Sequence, residues 1–302
     1  MTPTWIFHRT TRLILFLGLF LLGCSSPQPV SPSNRPVAIP VDKTPTFTPS
    51  PISPASVPLK GTPTAADCTE TSGSVEKGVI KTPLLDKPMT YNVYLPPCFT
   101  FDKGKHYPVL YLLHGQNYDE SQWIRLGAAS SLDRLIAAGE VPPFIIVMPF
   151  DYSYKQPNEY NFEQVFVQLL IPQIDRTYRT LADAPHRAVG GLSRGGAWAI
   201  RLGTRHPELF GAIGGHSAAI FYVDEQSLNG RLLKIPASQM PRIWLDMGDS
   251  DSEADVIKPF EQFLTQNNIP HELHIYVGWH DEKYWSAHVA EYLRWYAANW
   301  AH

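Results

Sequence analysis

The 302-residue sequence has no excess of basic charge, no apolar run of bilayer length, no internal repeat and only three cysteines. Lysine and arginine number 25 against 28 aspartates and glutamates, for a formal charge of −3. That balance excludes nucleic-acid partners bound through a basic stripe, which needs clustered positive charge. The N-terminal apolar run, Leu13 to Leu22, is too short to cross a hydrocarbon core of about 30 Å. With three cysteines the chain can close at most one internal disulfide, so its stability must come from a buried core. The stretch from 67 to 302 is long enough for one such core, and it leaves no room for a second gating domain or a large lid. Aromatic residues, by contrast, are plentiful, with 8 Trp, 14 Tyr and 14 Phe.

The densest local signal is Ala188-Val-Gly-Gly-Leu-Ser193-Arg-Gly-Gly-Ala-Trp198, an apolar strand that runs through G-x-S-x-G into a helix rich in small residues. This is the pattern of a nucleophile elbow, in which a serine sits on a sharp strand-to-helix turn and glycines let neighbouring backbone approach. The turn places the Ser193 hydroxyl above the sheet edge and frees the Arg194 N–H for a developing oxyanion. An acid and then a histidine should follow, each after a later strand. Pro241 to Gly248 reads as a strand that empties into Asp249-Ser-Asp251, with Asp251 the first choice for the acid and Asp249 the second. His271 to Gly278 alternates like a strand, and His280 follows it as the general base. The apolar run Tyr107 to Leu113 ends in His114-Gly115-Gln116, so the Gln116 N–H is the expected second oxyanion donor. His114 precedes the acid in chain order and is read as structural.

At these residues the chain resembles the putative-esterase family of α/β-hydrolases, which includes esterase D-like enzymes, feruloyl and acetyl-xylan esterases, enterochelin esterases and mycolyltransferases. The resemblance runs over roughly residues 75 to 300. It rests on Tyr111-Leu-Leu-His-Gly followed by Trp123, on Gly191-Leu-Ser-Arg-Gly-Gly196, on His206-Pro-Glu-Leu-Phe-Gly211, on Gly248-Asp-Ser-Asp251, and on His280-Asp followed by Trp285. It implies a nucleophile at Ser193, an acid at Asp251, a base at His280, and hydrolysis of carboxylic esters through an acyl-enzyme without metal or organic cofactor. Two departures bear on the pocket: Arg194 stands where many members carry a smaller residue, and Trp279 where glycine is common. Trp123, His216, Trp279 and Trp285 are the candidate substrate contacts. An acyltransferase acting on a sugar or lipid alcohol would use the same residues, and a catalytically silent surface-binding homologue is the third reading. The intact order of the three residues argues against the silent one.

The N-terminus carries a separate message. Arg9 and Arg12, the run Leu13 to Leu22 and the ending Leu21-Leu-Gly-Cys24 look like a bacterial lipoprotein signal peptide over residues 1–23, with an ordinary secretory signal or short anchor as the alternative. The resemblance implies lipidation of Cys24 and residence at the cell envelope on a membrane partner. More than half of residues 25 to 66 are Pro, Ser or Thr, a composition that cannot bury enough apolar surface to offset ordering, so residues 24–66 read as a disordered tether. Cys68 and Cys98 then remain as a pair in an export context, and their bridge is predicted to close a loop of about 30 residues, contributing roughly 3 to 4 kcal/mol.

Apolar runs alternating with amphipathic stretches predict a doubly wound, mostly parallel α/β sheet with helices on both faces. The predicted strands cover 89–95, 109–113, 144–150, 187–192, 210–214, 243–247 and 273–277. Helices are predicted over 131–138, 162–178, 197–205, 256–267 and 284–300. In His271-Glu-Leu-His274 the strand period points the two imidazoles to opposite faces, so no metal site is expected there. Asp246, short of its strand's end, is read as a hydrogen-bonded core residue, and Asp281 as a group that sets the loop after His280. Oligomeric state is left open by the sequence.

Overall fold

The computed structural model describes residues 68–300. The expected signal segment, Cys24 and the tether lie outside them. The described chain forms an eight-stranded sheet in the order β1-β2-β4-β3-β5-β6-β7-β8. Strands β1 (Ser74–Ile80) and β2 (Met89–Leu95) pair antiparallel, as do β2 and β4 (Ile145–Pro149). All remaining pairs are parallel, and they join β4, β3 (Val109–Leu113), β5 (Arg187–Leu192), β6 (Ala212–His216), β7 (Arg242–Gly248) and β8 (Glu272–Tyr276).

Two apolar cores flank the sheet, and the strand period sorts side chains between them. Val109, Tyr111 and Leu113 enter one core while Leu110 and Leu112 enter the other, as expected of a parallel strand buried on both faces. The second core is covered by helices α1 (Gln122–Arg125), α2 (Ala128–Ala137) and α8 (Glu282–Ala297), which supply Trp123, Leu132 and Tyr296. On the opposite face, α3 (Phe162–Val165) runs through a π-helical stretch, Phe166–Leu170, into α4 (Ile171–Thr177). That face is completed by α5 (Arg194–Arg205), α6 (Leu228–Leu232) and α7 (Ala254–Gln266).

Two strands depart from the sequence reading. β1 was not predicted, because most of its residues are exposed and Glu76 and Lys77 interrupt any apolar alternation. Its position is set by the backbone ladder to β2, from Ser74↔Leu95 to Ile80↔Met89, and the Cys68–Cys98 disulfide ties the segment before it to the residues just after β2. β6 sits two residues later than predicted, since Gly214 and Gly215 give no strand signal of their own. Gly214 is there because a Cβ would collide with the Tyr296 hydroxyl packed over the sheet.

A buried ion cluster fastens α5 to its surroundings. Arg201 pairs with Glu163 at 2.7 Å and with Asp224 at 2.8 Å, and Glu163 also accepts from Arg205 and His206. Burial pushes the Glu163 carboxyl up, but hydrogen bonding from His206 and the two arginines outweighs it and holds the group at about 2 instead of its ordinary 4.5. A carboxyl depressed in the folded state stabilises the fold above its unfolded pKa and ceases to do so as the pH falls through the folded value. Thermal melting should therefore lose stability between pH 4.5 and about 2, and Glu163→Gln should flatten that part of the curve. An equal acid dependence in Glu163→Gln would assign the loss to other carboxylates.

Candidate active site

The sheet's carboxyl edge gathers the chemistry-bearing residues. β5 ends at Leu192, and Ser193 takes φ 53°, ψ −121° before α5 begins at Arg194. That backbone region is strained for a residue with a Cβ. It is held because the Ser193 N–H donates to His216 O at 2.9 Å, and the Ser193 carbonyl accepts from Ala197 and Ala219. Gly195 lets α5 start hard against β3, since a Cβ there would collide with the carbonyl oxygens of Leu113 and His114.

Ser193 Oγ lies 2.9 Å from His280 Nε2, and His280 Nδ1 lies 2.9 Å from Asp251 Oδ1. In the tautomer that carries its proton on Nδ1, His280 donates to the carboxylate and its Nε2 accepts from the serine hydroxyl. Oδ1 also accepts the Glu253 N–H at 2.8 Å. Burial pushes the Asp251 carboxyl up, but hydrogen bonds from His280, Ser217 and Glu253 prevail and hold it below the usual carboxylate range. Asp249, the second choice, is exposed and instead accepts from the Gly278 N–H and from Ser250. Asp281 caps α8 by accepting the Tyr284 N–H, which orients the loop carrying His280.

Gln116 follows Gly115 in the loop leaving β3, and the Gly115 N–H is held by Gln122 Oε1 at 2.8 Å. Among the described backbone hydrogen bonds, neither the Gln116 nor the Arg194 N–H has an acceptor. Both residues border a cleft of about 260 Å³ whose other walls include Tyr118, Phe150, Tyr152 and Tyr154. His114 is buried beneath this loop, its Nε2 accepting the Asp151 N–H and its Nδ1 facing Gly115 O. An Nε2 that accepts an N–H carries no proton, which makes the imidazole neutral, and burial lowers its pKa in the same direction.

A family model described as putative esterase matches residues 82–296. The chain belongs to the putative-esterase family. Among curated proteins, this family member is 34% identical over 200 residues to an endo-1,4-beta-xylanase/feruloyl esterase of Xylanibacter ruminicola, covering 63% of this chain and 26% of that protein. It is also 34% identical over 136 residues to Esterase Rv1288 of Mycobacterium tuberculosis, covering 42% of this chain and 28% of that one. The chain therefore spans about a quarter of the length of these relatives. A solved ferulic acid esterase superposes with a TM-score of 0.69 at 27% identity, over 77% of this chain and all of that one. The feruloyl esterase module of Clostridium thermocellum, solved with sinapinate, gives 0.66 at 20% identity, over 77% and 90%. The fold is that of the α/β-hydrolases.

Three of the four candidate substrate contacts are corrected by the packing of this esterase-family chain. Trp123, His216 and Trp285 are 1%, 0% and 3% exposed, so none can line an open site. Trp123 donates to Leu113 O from under the sheet edge. His216 is clamped by Asp246 Oδ1 at 2.6 Å and by the Tyr296 hydroxyl at 2.9 Å. Trp285 lies beneath His280, its ring edge-on to the imidazole at 5.1 Å between centroids. Only Trp279, 67% exposed, remains at the surface next to His280. Asp246 is a core hub, as read, accepting from His216, Trp244, Tyr284 and Tyr292. His271 and His274 also part: His271 pairs with Glu261, while His274 stacks on Trp244.

The departure at Arg194 has a structural reason. Its Nε donates to Asp151 at 2.9 Å, its Nη2 to Lys155 O and the Tyr160 hydroxyl, and its guanidinium lies over Phe221. Arg194 thus ties the loop after β4 and the loop after β6 to the start of α5. Asp151, which also accepts from Trp198 and Tyr160, was missed by the sequence reading. Its one signal was its place just past the end of a parallel strand. Gln122 was missed as well, and Ser217 was marked only with His216 as a strand end that could edge the pocket.

Proposed function

We propose that this chain is a serine carboxylic ester hydrolase that works through an acyl-enzyme on Ser193. The observation that carries the reading is the hydrogen-bonded row Ser193–His280–Asp251 at the sheet's carboxyl edge, with both links at 2.9 Å. As Ser193 Oγ attacks the ester carbonyl, its proton passes to His280 Nε2. Asp251 holds the imidazole tautomer and stabilises the imidazolium. The Gln116 and Arg194 N–H groups hold the oxyanion, each contributing on the order of 3 kcal/mol to the barrier reduction. Collapse of the tetrahedral adduct breaks the bond to the alcohol, which leaves with the proton from His280. Water then attacks the acyl-serine, gives its proton to His280, and the acid departs as Ser193 regains its hydrogen.

The acyl group proposed is aromatic, of the hydroxycinnamoyl kind. Supporting this are the tyrosines and Phe150 around the cleft beside Arg194 and the feruloyl esterases among the relatives. A fluorophosphonate should label Ser193 alone, and the protein should release ferulate from methyl ferulate. Labelling at another serine would overturn the nucleophile, and hydrolysis of methyl acetate but not methyl ferulate would overturn the acyl class.

The enzyme is further proposed to act at the cell envelope, lipidated at Cys24 and held off the membrane by residues 25–66. The basis is the sequence pattern ending at Leu21-Leu-Gly-Cys24, and stable attachment needs two or more acyl chains. Cys24→Ala should move the expressed protein from the membrane fraction to the soluble fraction with its activity retained. Unchanged membrane partitioning would remove the anchor.

A further inference from the structure

The carboxylate that faces His280 has only one of its oxygens accounted for. Asp251 Oδ1 accepts from His280 and from the Glu253 N–H, whereas Oδ2 is buried and has no hydrogen-bond partner among the described residues. A buried carboxylate oxygen left bare is costly, so a donor is needed near it. The Ser217 hydroxyl reaches this part of the site through Trp285, which bonds its Oγ and lies against His280, and it helps hold the Asp251 carboxyl below its ordinary range.

Ser217 is built into this place from three directions. It directly follows β6, is fully buried and has φ 48°, a left-handed conformation uncommon for a residue with a Cβ. Its N–H donates to Asp246 O at 2.7 Å, which docks it on β7. Its Oγ accepts the indole N–H of Trp285 at 3.0 Å. Trp285 Nε1 can only donate, so the serine's own proton is left to be given away. The preceding residue, His216, accepts the Ser193 N–H at 2.9 Å, so the nucleophile hangs from the same strand end. Trp285 in turn lies edge-on against His280.

We infer that Ser217 is a positioning residue of this site: its hydroxyl, oriented by Trp285, donates to Asp251 Oδ2 and holds the carboxylate square to His280 Nδ1. The end of β6 and one indole thereby set the nucleophile, the acid and the base relative to one another. The inference rests on the Ser193–His280–Asp251 reading.

Glycine at 217 separates the hydroxyl from the backbone, because it removes the donor while relieving the positive φ. In the full chain, Ser217→Gly and Ser217→Ala should each lower kcat about 10- to 100-fold with KM little changed, the loss typical of a small misplacement of catalytic groups. Ser217→Gly also leaves the buried Trp285 N–H unpaired, so it should melt somewhat lower than the parent, and the downfield proton NMR signal of His280 Nδ1–H should shift in it. Wild-type kcat in Ser217→Gly would overturn the inference, as would a fall in kcat with the His280 signal unmoved. Ser193→Ala run alongside keeps the two readings apart, since activity surviving in that variant would refute the nucleophile itself.

Discussion

Replacing Ser193 by alanine is expected to lower kcat for ester hydrolysis by up to about a millionfold while leaving the fold intact. In the proposed mechanism the hydroxyl supplies the attacking oxygen, and among the described residues His280 is its hydrogen-bond partner. Both serine and alanine carry a Cβ, so the strain at φ 53° is the same before and after and the melting temperature should hardly move. His280→Ala should produce a loss of similar size, and the double variant should be little worse than either, because residues acting as a unit are not additive. Progress curves with a nitrophenyl ester and melting curves on the same preparations check both halves. Activity within tenfold of wild type in either single variant would sink the mechanism.

Asp251→Asn is expected to cost about ten-thousandfold in kcat, the loss seen when a triad carboxylate becomes an amide and the histidine is held in the wrong tautomer. The carboxylate accepts His280 Nδ1–H at 2.9 Å, and an amide nitrogen in its place would repel that hydrogen. Asp249→Asn should remain within a fewfold of wild type, since Asp249 faces the Gly278 N–H and not the imidazole. Paired kcat measurements on the two variants decide the assignment, and the reverse ordering would move the acid to Asp249.

The elbow was legible because its constraint is local. Strand, strained serine and small-residue helix all lie within Ala188 to Trp198, and the glycines that permit the close approach stand in the same few residues. The order of acid and base was legible for a related reason, since a parallel sheet places successive strand ends along one edge. The aromatic candidates were not legible. Trp123, His216 and Trp285 stand beside recognisable motifs, yet each turns under the sheet edge and is buried. Chain neighbourhood alone cannot tell a side chain that lines a cleft from one that supports it. Polar β1 was missed because an edge strand takes its position from a partner's backbone and leaves little mark in its own side chains.

By itself the sequence determined the sheet type, the strained serine and the segments to which an acid and a base were assigned. These follow from periodicity and turn chemistry, which act over a few residues or need only chain order. Only the tertiary structure set Asp251 and not Asp249 against His280, buried three of the four candidate substrate contacts, and brought Arg194 to Asp151. Those outcomes depend on distances between side chains far apart in the chain, from 29 residues for His280 and Asp251 to 43 for Arg194 and Asp151. Such distances exist only once the two cores have closed on the sheet.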